Sequence, residues 1–190
     1  MGDYSESLLL DKSDNKGRVT AALMVTTFLG SIGSCQFGWG IGVLNAPTSI
    51  VKSDLGLVDW QANLLQAALS IAALFGAQAS GGVLDRAGRR NFLLYTAVIY
   101  LVGGALPIAA NLFKGTSQMG AYGMLLTGRV LIGVAVGAGS AGCPLYLGEI
   151  APPALKGAYG SIAQFQLTLF LLFSEVAGIW MSTSQLWGYL

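Results

Sequence analysis

Long apolar stretches alternate with short polar segments along most of this chain. Four of the stretches cover residues 60–84, 92–112, 121–147 and 158–180, and the segments between them are rich in charged, glycine and proline residues. Each stretch exceeds the roughly 20 residues that a helix needs to cross a hydrocarbon core of about 30 Å. The pattern predicts an all-α membrane protein whose helices run back and forth across a bilayer.

The first apolar stretch, residues 19–51, contains no charge and is longer than a bilayer requires. As one helix it would measure on the order of 50 Å, so we expect it to tilt, bend or project beyond the membrane. Closely spaced glycines and the following Pro47 allow the backbone to kink. We assign span 1 to residues 19–51 and a short polar connection to residues 52–59.

The two ends of the chain complete the predicted topology. Residues 1–18 are polar and mixed in charge, and we interpret them as a disordered cytoplasmic tail. Residues 186–190 follow a polar patch and look like the first turn of a sixth span. The sequence thus predicts an incomplete bundle over residues 19–190, with five complete spans and the start of a sixth.

The most densely charged segment lies between the second and third spans. Asp85, Arg86, Arg89 and Arg90 place four charges within a chain in which only 10% of residues are charged. Such a segment has to lie in water, and basic residues in short loops stay cytoplasmic. We therefore expect this charged turn and the N-terminus to be cytoplasmic, together with the polar turn at residues 149–157.

Composition excludes several classes of protein. Hydrophobic residues make up 54% of the chain and the mean hydropathy is +0.64, both above the range of soluble domains. The net charge is +1 with no basic patch, which argues against a nucleic-acid partner. The chain has no histidine, and Cys35 and Cys143 lie in apolar segments. We expect no metal, no cofactor and no enzymatic activity.

Two charged residues lie inside predicted spans. A charge such as Arg129 costs about 2.5–3.5 kcal/mol at the centre of a membrane helix, so it should face a cavity or a partner. The alternative is that its side chain reaches the outer interface. Glu175 either titrates during transport or stays hydrated at the outer interface near Trp180, which we favour.

Polar residues near the cytoplasmic side offer two further hypotheses. Glu149 lies on the same side as the arginines of the charged turn, so it either forms a salt-bridged latch with them or is a solvated carboxylate. Gln164 and Gln166 lie early in span 5, where a side-chain amide binds either a polyhydroxylated ligand or a neighbouring helix. Spacing alone favours the bond between helices for these two glutamines.

Small residues recur at four-residue spacing in two spans. Gly38 and Gly42 form one pair, and Gly133 and Gly137 form the other. This spacing is typical of closely packed membrane helices, and we expect packing rather than substrate binding. Phe37 is by itself also more typical of packing than of ligand stacking.

Motifs in three parts of the chain occur in a recognisable order. They comprise Gly33–Trp39 with Asn45–Pro47 in span 1, Asp85–Arg90 in the charged turn, and Gly128, Arg129, Pro144, Tyr146, Glu149, Pro152, Lys156 and Gly157 in span 4 and the turn after it. Together they resemble the sugar porters of the major facilitator superfamily, and more closely the facilitative glucose transporters. The resemblance covers about residues 26–190.

The resemblance implies a fold and a set of site residues. Family members have twelve spans in two halves with the sugar bound between them, and this chain is similar only to the first six-span half. Gln164 matches a glutamine that binds sugar hydroxyls, with Leu167 and Phe37 near the same cavity. A second matching set is the cytoplasmic latch that holds the two halves together, formed by Asp85, Arg86, Arg89, Arg90, Glu149 and Lys156.

Departures from the family pattern bear on coupling. Proton-coupled members tend to have an aspartate, paired with the arginine of span 4, at the position that is Gly40 here. Its absence favours uniport, although Glu175 leaves coupling open. Lys156 stands where the family usually has arginine, and lysine cannot form the same bidentate pair.

Taken together, the resemblance implies the N-terminal portion of a facilitative hexose transporter of the plasma membrane, working by alternating access. Its expected partners are a hexose or related sugar, membrane lipid and the missing C-terminal half. We expect the 190-residue chain alone not to transport. Two alternatives remain open: part of a proton-coupled sugar symporter, and a truncated, non-transporting interaction protein.

Overall fold

A computed structural model describes residues 27–28, 31–43, 45, 48–113, 118–151 and 156–183. Within them lie six α-helices of eight or more residues and no β-strand. In chain order they are α1 (Ile32–Gly42), α2 (Thr48–Leu55), α3 (Asp59–Ala87), α4 (Arg89–Phe113), α5 (Gln118–Ile150) and α6 (Lys156–Thr183). The fold class predicted from the apolar stretches is therefore confirmed as all-α.

Four of these helices are long and apolar enough to cross a membrane. They span Asp59–Ala87, Arg89–Asn111, Gln118–Ile150 and Lys156–Trp180. The predicted tail at residues 1–18, the Pro152–Pro153 turn and the predicted start of a sixth span at residues 186–190 lie outside the described residues.

The first predicted span differs from the structure at its C-terminal end. Where one stretch over residues 19–51 was expected, α1 ends at Gly42 and the separate helix α2 begins at Thr48. Lys52, expected in a polar connection, lies in the last turn of α2, where a cation is favourable because helix carbonyls carry partial negative charge. Its ammonium group also pairs with Asp59 at the start of α3, which joins the two helices.

The charged turn is shorter than the sequence indicated. Helix α3 continues through Arg86 to Ala87 and α4 already begins at Arg89, so Gly88 alone lies between them. Its φ of 78° falls in the left-handed region, which glycine adopts without strain. The charged residues are therefore held on two helix ends rather than on a loose loop.

Helix α5 lies at the centre of the bundle and packs against α1, α3, α4 and α6. In its most apolar stretch 56% of residues are buried, compared with 17% for α4. Its glycines permit this close packing: an added Cβ at Gly133 would lie 2.4 Å from the Leu69 carbonyl oxygen, and one at Gly137 would lie 2.0 Å from that of Ala73. The packing role predicted for this glycine pair is confirmed.

Helices α1 and α6 form a second tightly packed pair. A Cβ at Gly38 would lie 2.2 Å from the Leu167 carbonyl oxygen, and a Cβ at Gly42 would lie 2.0 Å from Ser174 Oγ. The hydroxyl of Ser174 is fully buried and donates to the Leu171 carbonyl at 2.8 Å. The predicted packing role of Gly38 and Gly42 is also confirmed, with α6 as the partner.

Candidate functional site

One end of the bundle carries an ion cluster around the α3–α4 turn. The Arg89 guanidinium donates through Nη2 to Glu149 Oε1 at 2.7 Å and through Nε to Glu149 Oε2 at 3.1 Å. Its Nη1 lies 3.4 Å from Asp85 Oδ1 and donates to the Leu84 carbonyl at 3.3 Å. Arg89 thus ties the end of α3 and the start of α4 to the last turn of α5.

The remaining members of the predicted latch are more loosely placed. Arg86, Arg90 and Lys156 are all exposed, and none of them forms an ion pair within the described part of the chain. The structure therefore brings together Asp85, Arg89 and Glu149. It leaves three cations of the predicted set available to groups outside the described residues.

The Arg129 side chain lies inside the bundle and does not extend to its surface. The residue is only 5% exposed, and its Nη1 donates to the Gly40 carbonyl oxygen of α1 at 3.2 Å. Its Nε is buried and has no hydrogen-bond partner among the described residues. The span 4 arginine is thus held by a backbone carbonyl at Gly40, the position at which the sequence lacks a carboxylate.

A cavity of about 180 Å³ lies beside this guanidinium. Its lining residues come from α1, α3 and α5 and from the segment after α1, namely Gly40, Ile41, Asn45, Gln66, Leu69, Ser70 and Arg129. The amide of Asn45 also donates to Glu175 of α6, and Gln66 Nε2 donates to Thr48 Oγ1 at 3.0 Å. Glu175, predicted to be hydrated, is half-buried and bonded to the residue that lines the cavity.

The two glutamines early in α6 occupy opposite environments. Gln164 is exposed, whereas Gln166 is 4% exposed and both polar atoms of its amide are buried without a partner. Leu167 is half-buried against α1 at Gly38. Phe37 is half-buried and packs against the core cluster of Leu69, Ile132 and Val136.

A family model described as sugar (and other) transporter matches residues 26–190. The chain belongs to this sugar transporter family. Because the match covers most of the sequence, the resemblance to the sugar porters of the major facilitator superfamily is confirmed. The family consists of transporters and not of enzymes, and the four long apolar helices fit a multi-pass integral membrane protein of this family.

Several sugar transporter relatives align along nearly the whole chain. Facilitated glucose transporter member 3 of solute carrier family 2 from Rattus norvegicus is 31% identical, covering 90% of this chain and 36% of the relative. The putative metabolite transport protein YwtG from Bacillus subtilis is 28% identical, covering 86% of the chain and 34% of the relative. The chain spans about a third of the length of these curated relatives.

A solved structure supports the fold of this sugar transporter chain. The xylose transporter XylE from E. coli, in an inward open conformation, superposes with a TM-score of 0.70 over 87% of this chain and 45% of XylE. Sequence identity is 21%, so the match is evidence for the fold alone. It confirms a partial major facilitator bundle, as the sequence predicted.

Two residues of the sugar transporter chain near Arg129, Gln66 and Ser70, were not singled out from the sequence. Asn45, Gln66 and Ser70 line the cavity, and Asn45 additionally binds Glu175. Asn45 lies between the end of α1 at Gly42 and the start of α2 at Thr48, and the Asn45–Pro47 motif is the local sequence signal at this position. Gln66 and Ser70 are two of several uncharged polar residues in α3, so no sequence signal marks them.

The described residues offer no site for a metal ion. They contain no cluster of three or more histidine, cysteine, aspartate or glutamate side chains that could ligate one. Cys35 and Cys143 are both buried as free thiols. The polar groups that remain available are amides, hydroxyls and guanidinium groups, which bind by hydrogen bonds and charge.

Proposed function

We propose that this chain is the N-terminal portion of a facilitative hexose transporter. In this proposal the sugar binds between this bundle and a second six-span half, and the halves rock against each other to expose the sugar alternately to the two sides. The chain lies in the plasma membrane with its N-terminus in the cytoplasm. Membership of the sugar transporter family and 31% identity to a facilitated glucose transporter support this assignment.

The observation that carries the proposal is the exposed amide of Gln164. Its side chain makes no hydrogen bond within the described part of the chain, although it lies in a helix apolar enough to cross a membrane. An amide both donates and accepts hydrogen bonds, as a sugar hydroxyl does. An unsatisfied amide at membrane depth therefore fits a face that binds a polyhydroxylated ligand.

The ion cluster supplies the second element of the proposed mechanism. Arg89 joins α3, α4 and α5 through Asp85 and Glu149, so these helices move as one body at that end. The exposed Arg86, Arg90 and Lys156 lie at the same end of the bundle. In the proposed transporter they bind the second half when the sugar site is open to the outside, and release it when the site opens inward.

Uptake of radiolabelled glucose into proteoliposomes tests the proposal. The 190-residue chain alone is expected to give the rate of empty vesicles. The chain joined to the remainder of the rat facilitated glucose transporter, from its sixth span to its C-terminus, is expected to give saturable uptake. Gln164→Ala in that fusion should raise the KM for glucose roughly tenfold, because a hydrogen bond to an uncharged hydroxyl contributes about 1 kcal/mol and its loss leaves a group unpaired.

Gln118→Ala is the matched control, since Gln118 is an exposed glutamine at the first residue of α5. It is expected to leave the KM unchanged. Glucose uptake by the chain alone would contradict the need for a second half. An equal KM for Gln164→Ala and Gln118→Ala would contradict the assignment of the sugar site to α6.

Proton-coupled sugar transport is the second candidate, and the Asn45–Glu175 hydrogen bond favours it. That bond holds a carboxylate, half-buried, in a helix that can span the membrane. If Glu175 carries a proton during transport, an inward pH gradient should accelerate uptake, and Glu175→Gln should abolish that acceleration. Uptake independent of the gradient, with Glu175→Gln equal to wild type, would leave uniport.

A further inference from the structure

We propose that the cavity between α1, α3 and α5 binds a small inorganic anion such as chloride, with the Arg129 guanidinium as its charged ligand. The inference concerns a site distinct from Gln164, and it stands whether or not the chain carries a sugar. It rests on the juxtaposition of a buried, incompletely paired cation with a cavity of about 180 Å³ lined by hydrogen-bond donors.

The charge of Arg129 needs compensation. Removing a cation from water without an opposite charge is costly, and buried charges are accordingly paired in membrane proteins. The described carboxylates are engaged elsewhere: Asp59 pairs with Lys52, while Asp85 and Glu149 pair with Arg89. Glu175 accepts a hydrogen bond from Asn45 and forms no ion pair with Arg129. Among the described residues, the neutral Gly40 carbonyl accepts the hydrogen bond that the Arg129 guanidinium donates.

The cavity presents donors suited to an anion. Arg129 Nε is buried and without an acceptor. Asn45 and Gln66 each use a side-chain amide in one hydrogen bond, and each amide carries a second hydrogen. Ser70 adds a hydroxyl to the lining. A water molecule occupies about 30 Å³ of liquid, so the cavity has room for a halide ion with several waters.

Gly40 borders the cavity, and its Cα faces side chains of α4 and α5. A Cβ there would lie 3.2 Å from Val136 Cγ2, 3.3 Å from Ile132 Cγ2 and 3.8 Å from the Tyr100 hydroxyl. A small side chain therefore fits with slight movement of two methyl groups. An aspartate at this position would place a fixed negative charge beside Arg129, where we propose that a mobile anion binds.

Thermal unfolding of the purified chain in lipid nanodiscs tests the site. Sodium chloride is titrated against sodium gluconate at constant ionic strength, so that only the identity of the anion changes. A ligand that binds the native state raises the unfolding temperature. The unfolding temperature is expected to rise with chloride and to level off, and ³⁵Cl NMR line broadening should saturate over the same concentrations.

Two variants of Arg129 and one control test whether the Arg129 guanidinium binds the anion. Arg129→Gln should abolish the response to chloride, whereas Arg129→Lys should keep it with a roughly tenfold higher dissociation constant, because lysine offers a point charge without the planar fork. Lys52→Gln removes a cation that pairs with Asp59 outside the cavity, and it should keep the chloride response of the wild type. Equal responses to chloride and gluconate in the wild type, or an undiminished response in Arg129→Gln, would overturn the proposal.

Gly40→Asp tests the same idea without removing Arg129, in case Arg129→Gln fails to fold. It should fold and lose both the chloride response and the ³⁵Cl broadening, and a retained response would refute the site. Glu175→Gln tests whether Glu175, and not a bound anion, compensates the charge of Arg129. If chloride leaves the unfolding temperature of the wild type unchanged and raises only that of Glu175→Gln, Glu175 neutralises Arg129 through Asn45, and the anion proposal is wrong.

Discussion

Replacing Gly137 by alanine should destabilise the bundle by separating α3 from α5. The added Cβ would lie 2.0 Å from the Ala73 carbonyl oxygen and 2.6 Å from Ala73 Cα. These are backbone atoms, so no side-chain rotation relieves the overlap. Ordinary van der Waals contact begins near 3.4 Å, so the two helices have to part by about 1.4 Å at this point.

That separation affects neighbouring contacts as well. Gly133 approaches Leu69, and Gly76 approaches the Val134 carbonyl, where an added Cβ would lie 2.2 Å from the oxygen. A radial gap of about 0.5–1 Å already loses a quarter to a half of the dispersion attraction between facing atoms. Overpacking costs about 1–3 kcal/mol, and the better helix propensity of alanine returns up to about 1 kcal/mol. We expect a net loss of about 1–2 kcal/mol.

The matched control is Gly123→Ala in the same helix. No atom of the described residues lies within 4 Å of the position that its Cβ would occupy, so we expect only the helix propensity to change. It should be as stable as wild type or up to about 1 kcal/mol more stable. The assay is reversible unfolding of the purified chain in mixed micelles by increasing SDS, followed by far-UV circular dichroism. Equal unfolding midpoints for Gly137→Ala and Gly123→Ala would refute the close α3–α5 packing.

Three further outcomes are expected. Gln166→Leu should stabilise the chain by about 1–3 kcal/mol, because it removes a buried amide that has no hydrogen-bond partner among the described residues. Gln164→Leu, on the exposed side of α6, should change the free energy of unfolding by less than about 0.5 kcal/mol. A larger stabilisation by Gln164→Leu than by Gln166→Leu would contradict the burial of Gln166. In a complete transporter with one cysteine introduced in the inward-facing cavity, Glu149→Ala should raise maleimide labelling of that cysteine roughly threefold, because the Arg89 contact is lost. Asp59→Ala, at the opposite end of α3, is the control, and unchanged labelling in Glu149→Ala would argue against the latch. Cys143, which is fully buried, should resist maleimide until SDS unfolds the chain, and rapid labelling of the folded chain would contradict its packing against Gly33.

Much of the fold follows from the distribution of charge and apolar residues. A helix that crosses lipid has to satisfy its own backbone, so a long apolar stretch leaves few alternatives to α3, α4, α5 and α6. The charged segment ending at Arg90 similarly had to lie at a helix end. The glycine pairs were predictable as packing sites because small residues are what lets membrane helices approach each other.

The partners of individual residues were much less predictable. Gln164 and Gln166 lie two positions apart in one apolar helix, and the packing of α6 against α1 and α5 decides that the first is exposed and the second buried. The Asn45–Glu175 bond joins residues 130 positions apart, a distance over which sequence spacing carries no information. The helix α2 was missed because Lys52 and its neighbours have the polarity of a loop.

The pairing of α1 with α6 has a consequence for biosynthesis. Because the partners are about 130 residues apart, roughly 7–26 s of translation separate the appearance of Asn45 from that of Glu175 at 5–20 residues per second. Helices α3, α4 and α5 can assemble during that interval, whereas Gly38 and Gly42 of α1 cannot pack against α6 until α6 has been synthesised. A nascent chain arrested before Leu167 would leave Gly38 and Gly42 facing lipid or an insertion factor, and the α1–α6 contact would form after the contacts among α3, α4 and α5.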